Sequence, residues 1–160
     1  MTQFHSLTVK QVRNETRDAV SIVFDVPEHL QAQFRFTQGQ YLVMRTQLDD
    51  QEVRRSYSIC SAVQDGELRV AVKRVPGGRF SAFATAVLQP GQQLEVMPPA
   101  GSFFVSLDPA RPGHYLGVAA GRGITPLLFI LATTLASAPP RPSTLLSGYP
   151  SLARALFPHH

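Results

Sequence analysis

The chain has 160 residues, 44% hydrophobic and 16% charged, with a formal net charge of +4. That composition is globular rather than disordered, and the length suits one domain, or one domain and part of another. No apolar run is long enough to span a bilayer, and the basic residues form neither a long run nor a nucleic-acid motif, so no membrane, DNA or RNA partner is expected.

The opening MTQFHSLTVKQVRNETRD lacks the apolar core of a signal peptide, which predicts a cytoplasmic protein. Strands follow: 4–12, then 18–26, where Val20, Ile22, Phe24 and Val26 make one apolar face before Pro27. A third runs over 36–48 with a bend at Gly39, and Asp49-Asp50-Gln51 is a polar hairpin turn into VRRSYSI. Asp65-Gly66 is a further hairpin signal before 67–75, where Leu68, Val70 and Val72 alternate. Pro76-Gly77-Gly78 breaks that strand. Phe80, Phe83 and Val87 have helical spacing over 79–88, and 92–97 reads as a sixth strand. Six short strands with one helix between the fifth and sixth predict an antiparallel barrel.

The pattern changes near residue 113. Residues 114–136 read as a short apolar strand, a glycine turn at Gly121 and Gly123, and a long apolar helix. Thr125 suits its N-cap and Pro126 its first position. Free amides at a helix start favour phosphate. Two such glycines also serve purely structural turns. A proline-rich segment over 137–143 precedes another short strand, 143–146.

One cysteine, Cys60, excludes an intramolecular disulfide, and a plant-type [2Fe–2S] centre needs four cysteines, so neither cluster nor metal is expected in this chain. Cys60 reads as a small buried apolar residue. Arg55 and Tyr57 share one strand face. An arginine beside an aromatic can be an ordinary exposed face, or it can grip a ligand with a phosphate and a flat ring.

Four motifs in order, RSYS (55–58), VKRVPGGRFS (72–81), PPAGSF (98–103) and AAGRGITP (119–126), carry a resemblance. The chain resembles the ferredoxin–NADP reductase superfamily, and within it the branch of reductase subunits that serve phenylacetyl-CoA epoxygenase complexes. The resemblance runs from Met1 to about Leu146. It implies a six-stranded antiparallel Greek-key flavin-binding barrel over 1–107 and an incomplete α/β nucleotide-binding domain over 108–160. It also implies FAD as cofactor and NAD(P)H as co-substrate, with oxygenase subunits or an iron–sulfur acceptor downstream.

The resemblance implies these roles. Arg55 pairs with the flavin pyrophosphate. Tyr57 stacks on the isoalloxazine and Ser58 offers its hydroxyl near N5, which makes these two the catalytic positions. Val72, Lys73 and Arg74 lie along the flavin, mainly through backbone. Gly78, Phe80 and Ser81 belong to the turn and helix start that hold the pyrophosphate. Gly121, Gly123, Ile124, Thr125 and Pro126 form the turn under the nicotinamide nucleotide. Each residue also has a plain reading: Tyr57 in a core, Ser81 as a helix cap, Lys73 on a wet face. Arg122 replaces the family's usual serine, and either adds charge to a phosphate site or crowds a tight turn. The chain stops where the family continues, so the expectation divides between an FAD-dependent reductase and a non-catalytic flavin-binding fragment that self-associates through its incomplete half.

Overall fold

A computed structural model of the chain describes residues 3–104, 114–120, 124–136 and 143–148. Two antiparallel hairpins begin the fold. β1 (His5–Thr16) pairs with β2 (Ala19–Asp25), and β3 (Tyr41–Leu48) pairs with β4 (Gln51–Ser58). β5 (Leu68–Lys73) lies beside β2, then α1 (Arg79–Ala86) leads to β6 (Gln93–Val96), which inserts between β1 and β3. The sheet order is therefore β4-β3-β6-β1-β2-β5. One bridge, Ile59 to Val70, brings the two edge strands together, and the Cys60 amide donates to the Arg69 carbonyl at 2.7 Å. The result is the expected six-stranded antiparallel barrel.

Local chemistry sets the corners. Asp49 and Asp50 have φ of 51° and 58°, the left-handed pair that a two-residue hairpin requires, and short polar side chains tolerate it best after glycine. The Asp65-Gly66 signal gives a different connection. Residues 63–65 form a 3-10 turn whose Asp65 carboxylate accepts from the Ala62 amide at 2.8 Å, and nine residues separate β4 from β5. β1 is longer than its apolar pattern suggests. Register shifts at Lys10 and Glu15 bulge it, so it serves β2 along most of its length and β6 at its start. The expected strand over 36–48 begins only at Tyr41, because Gly39 turns the chain with φ 87°.

The core fills the barrel. Leu7, Ile22, Leu42, Met44, Val70, Val72, Leu94 and Val96 are fully buried, and Phe80 enters from α1. Each such side chain contributes roughly 1.5–3 kcal/mol on burial. β2 is buried on both faces rather than one. Ser21 is accommodated there because its hydroxyl donates to the Glu15 carboxylate at 2.6 Å.

A second, two-stranded parallel sheet joins β7 (Tyr115–Ala120) to β8 (Ser143–Gly148), with α2 (Ile124–Ala136) between them in sequence. Gly117, Ala119 and Leu145 turn toward α2, where a Cβ on Gly117 would lie 3.3 Å from Leu131. The opposite face is open: Leu116, Val118 and Leu146 are 64%, 67% and 55% exposed.

Gly39 ties several parts together. A Cβ there would stand 1.8 Å from the Phe103 carbonyl oxygen and 3.0 Å from Ile130 of α2. Gly91 has a similar φ of 89° but open space around it. Gly91→Ala should therefore cost only the roughly 1–2 kcal/mol of a left-handed backbone. Gly39→Ala should cost distinctly more in urea-unfolding free energy, because the Phe103 segment must move.

Candidate functional site

The bridge between Ile59 and Val70 fixes a register. Extended along the strands, it sets Tyr57 across from Val72 and Arg55 across from Arg74. No ladder joins β4 and β5 there. The two strands part, and β5 presents a backbone edge with no strand on it among the described residues. The chain then turns through 76–78 into α1, whose Phe80 ring packs on Tyr57 with centroids 5.5 Å apart.

On β4, alternation places Val53, Arg55 and Tyr57 on the face turned to α1. Val53 is buried, Tyr57 is half-buried and Arg55 is exposed. The other face carries Glu52 and Arg54, which with Arg45 form exposed ion pairs. Arg55 folds back on its own strand, its Nη1 donating to the Arg54 carbonyl at 2.6 Å. Ser58 ends β4, half-buried, directly opposite Tyr41 in the ladder. Tyr57 rests its ring on the core residue Phe80 and is half-buried.

The α1 end is built by hydrogen bonds. The Gly78 amide donates to the Val75 carbonyl at 2.9 Å, and the Ala82 amide makes the first helical bond, to the Gly78 carbonyl, at 2.9 Å. The amides of Arg79, Phe80 and Ser81 thus have no acceptor within the helix. Ser81 is buried, and its hydroxyl accepts from the Val75 amide and donates to the Gly78 carbonyl, both at 3.1 Å. Its role here is to lock the turn, which leaves its amide rather than its hydroxyl proton for a ligand. A Cβ on Gly78 would meet that hydroxyl at 2.5 Å and the Val75 carbonyl oxygen at 3.1 Å, so only glycine fits against this turn. Phe80 is buried in the core, so of this residue only the backbone can face outward.

On β5 the Val72 side chain is fully buried, and Lys73 pairs with Asp18 at 3.6 Å. The Arg74 amide donates to the Asp18 carbonyl at 2.7 Å while its side chain is exposed. Asp18 is a residue the motifs pass over, and Arg79 stands in the sequence only as one charge of a basic cluster with Lys73 and Arg74. Both are charges beside a turn.

Elsewhere the chemistry is quiet. Burial pushes the Cys60 thiol up to about 12, so it is not a nucleophile at neutral pH. A cavity of about 520 Å3 lies among Phe24, Phe34, Phe36 and Leu68, at the opposite end of β5 from Lys73, and shares no residue with the cleft. Among the described residues no metal-binding cluster of His, Cys, Asp or Glu exists and no helix is long and apolar enough to cross a membrane.

In the second unit, α2 starts at Ile124, so Thr125 lies inside the first turn rather than flanking it, and Pro126 is third. A proline there is tolerated for the expected reason, since first-turn amides have no intrahelical acceptor. Ile124 and Thr125 are buried. Gly121, Arg122 and Gly123 lie outside the described residues.

Beside the unladdered stretch of β4 and β5 stand an exposed guanidinium, three helix-start amides and a half-buried aromatic ring, a donor set that suits a phosphate joined to a flat ring. Residues 6–105 match the family described as oxidoreductase FAD-binding domain. The chain belongs to that family. Its relatives include flavohemoproteins and ferredoxin reductase components of oxygenases. The chain is 51% identical over 148 residues to one component of the 1,2-phenylacetyl-CoA epoxidase of Escherichia coli (strain K12), covering 92% of this chain and 42% of that protein. It is 41% identical over 132 residues to the ferredoxin reductase component of a 3-ketosteroid-9-alpha-monooxygenase from Rhodococcus rhodochrous, covering 81% of this chain and 36% of that one. Among solved structures, the cytochrome P450 reductase GcoB of Amycolatopsis superposes with a TM-score of 0.77 at 26% identity, covering 97% of this chain and 46% of its own. The chain thus spans less than half the length of these oxidoreductases.

The Ser81 network of this FAD-binding-family barrel is directly testable. Ser81→Ala removes two hydrogen bonds and strips the Val75 amide of its acceptor, which costs about 1–3 kcal/mol. The expected result is a loss of that size in unfolding free energy together with weaker FAD binding.

Proposed function

We propose that the cleft between β4 and β5 holds FAD, and that the chain is the flavin half of an NAD(P)H-dependent reductase of the type that supplies multicomponent oxygenases. The single observation that carries this is the parting of the two strands at Tyr57 and Val72, with the α1 start closing one end. In this reading Arg55 swings from the Arg54 carbonyl to the pyrophosphate. The amides of Arg79, Phe80 and Ser81 complete the anion site, over the turn at Gly78. Tyr57, backed by Phe80, gives the isoalloxazine a flat face, and Ser58 sits at its N5 edge. The backbone of Val72, Lys73 and Arg74 runs beside the ring. Bound FAD would supply the redox chemistry, accepting hydride from a nicotinamide and releasing electrons singly. The protein's own part is to orient the ring, neutralise the phosphates and exclude water from one ring face. We place the boundary between the flavin barrel and the nucleotide unit at residues 107 and 108, with Gly121, Gly123, Ile124, Thr125 and Pro126 on the nicotinamide nucleotide.

The likeness to a component of 1,2-phenylacetyl-CoA epoxidase makes an oxygenase of that type, reached through an iron–sulfur centre, the proposed acceptor. A specific observation favours a second reading for this chain taken alone. Parallel sheets are normally covered on both faces, and the β7–β8 sheet exposes Leu116, Val118 and Leu146. In that reading the chain binds flavin but does not reduce it at a useful rate.

Titration with FAD tests the site. The parent should quench flavin fluorescence on binding. Tyr57→Ala should lose stacking of roughly 0.5–1.5 kcal/mol, and Arg55→Ala should lose more, because it leaves a phosphate without its charged partner. Unchanged affinity in both variants would remove the assignment. Dye reduction driven by NADH or NADPH then separates the two readings: slow turnover with tight flavin supports the second, and rapid turnover supports a self-sufficient reductase.

A further inference from the structure

We infer that Arg79 is a positioning residue for the cofactor: a tether that sets where the anion-binding end of α1 stands over β4, without itself contacting phosphate. The inference rests on the reading above, that the pyrophosphate sits at the α1 start. Arg79 is the first residue of α1, where a cation is unfavourable to the helix dipole unless it is paired elsewhere. It is paired elsewhere. Its Nη1 donates to Gln51 Oε1 at 2.7 Å, and its Nη2 donates to the Leu48 carbonyl and lies 3.2 Å from Asp49 Oδ2. All three acceptors belong to the two-residue β3–β4 turn or the residues that flank it. The guanidinium therefore points away from the helix start and staples it to the beginning of the strand that carries Arg55 and Tyr57.

The consequence is geometric. Arg55 reaches a phosphate from β4, and the Phe80 and Ser81 amides reach it from α1. Both halves bind one anion only if α1 and β4 hold a fixed spacing. Phe80 on Tyr57 fixes that spacing at one end, and Arg79 on the turn fixes it at the other. The planar fork suits this role, because it reaches a carbonyl, an amide oxygen and a carboxylate from one rigid group, which a lysine cannot do. A tether of this kind matters to ligands that carry the pyrophosphate and not to those that carry only the ring.

The test compares FAD with riboflavin, which has the ring and no phosphate. Affinities are measured by fluorescence titration for the parent, Arg79→Ala, Arg79→Lys and Arg55→Ala. Arg79→Ala should weaken FAD about tenfold and leave riboflavin within twofold, and Arg79→Lys should recover only part of the loss. Equal loss for both ligands, or no loss for FAD, would overturn the inference. Should Arg79→Ala fail to fold, the exposed double variant Asp49→Asn/Gln51→Ala withdraws the Gln51 acceptor and the Asp49 charge and carries the same comparison: a selective loss of FAD supports the tether, and no selective loss overturns it. Arg55→Ala separates the two levels of the argument. If it too shows no preference for losing FAD, the pyrophosphate placement itself is wrong; if it does and the tether variants do not, only the role of Arg79 falls.

Discussion

The structure depends on where two strands stop pairing. β4 and β5 meet at the Ile59–Val70 bridge and part beyond it, and the turn after Val75 sends α1 across the gap. Continued pairing would make a closed barrel with no place for a flat ligand. Complete separation would expose the core at Phe80. The compromise is held by one buried serine, whose hydroxyl joins the end of the strand segment to the turn, and by Tyr57 lying on Phe80. The same contacts therefore support stability and present the site.

The division of labour within the barrel is sharp. The residues that hold it together point inward from β1, β2, β3, β5 and β6, and none of them carries chemistry. Of the proposed site residues, Val72 and Phe80 bury their side chains in the core and Tyr57 packs against it. Charges in the site are paired locally: Lys73 with Asp18, and Arg79 with the β3–β4 turn. Arg55 is exposed and donates to its own strand's Arg54 carbonyl. The second unit is organised differently. One face of its two-stranded sheet packs on α2 while the other shows three aliphatic side chains, so its stability depends on what covers that face.

Much of the fold was legible because its signals were local. Alternation at Leu68, Val70 and Val72 and the breaker at Pro76-Gly77-Gly78 each reflect a backbone preference that needs no tertiary context. The strand at Tyr115–Ala120 and the helix at Ile124–Ala136 were legible for the same reason. What failed was non-local. Nothing local in the sequence marks where β1 bulges, because the bulges answer to two different partner strands. The β4–β5 connection looked like a tight hairpin because Asp-Gly was read without the 3-10 turn that Asp65 itself caps. The site motifs named residues, and the structure shows what their side chains do in the fold. Ser81 spends its hydroxyl on the turn, Val72 and Phe80 bury their side chains, and Arg79 acquires a role only because a hairpin folds beneath it.

The central claim is that the ligand lies between β4 and β5 with its phosphates at the α1 start. The most direct measurement is the backbone amide NMR spectrum of the isotopically labelled protein, recorded as FAD is added. The account predicts the largest shifts at Arg79, Phe80 and Ser81, with Tyr57, Ser58 and Lys73 moving beside them, and little change around Phe24 and Phe34. Shifts concentrated instead at the cavity lined by Phe24, Phe34 and Leu68, with the α1 amides unmoved, would contradict it.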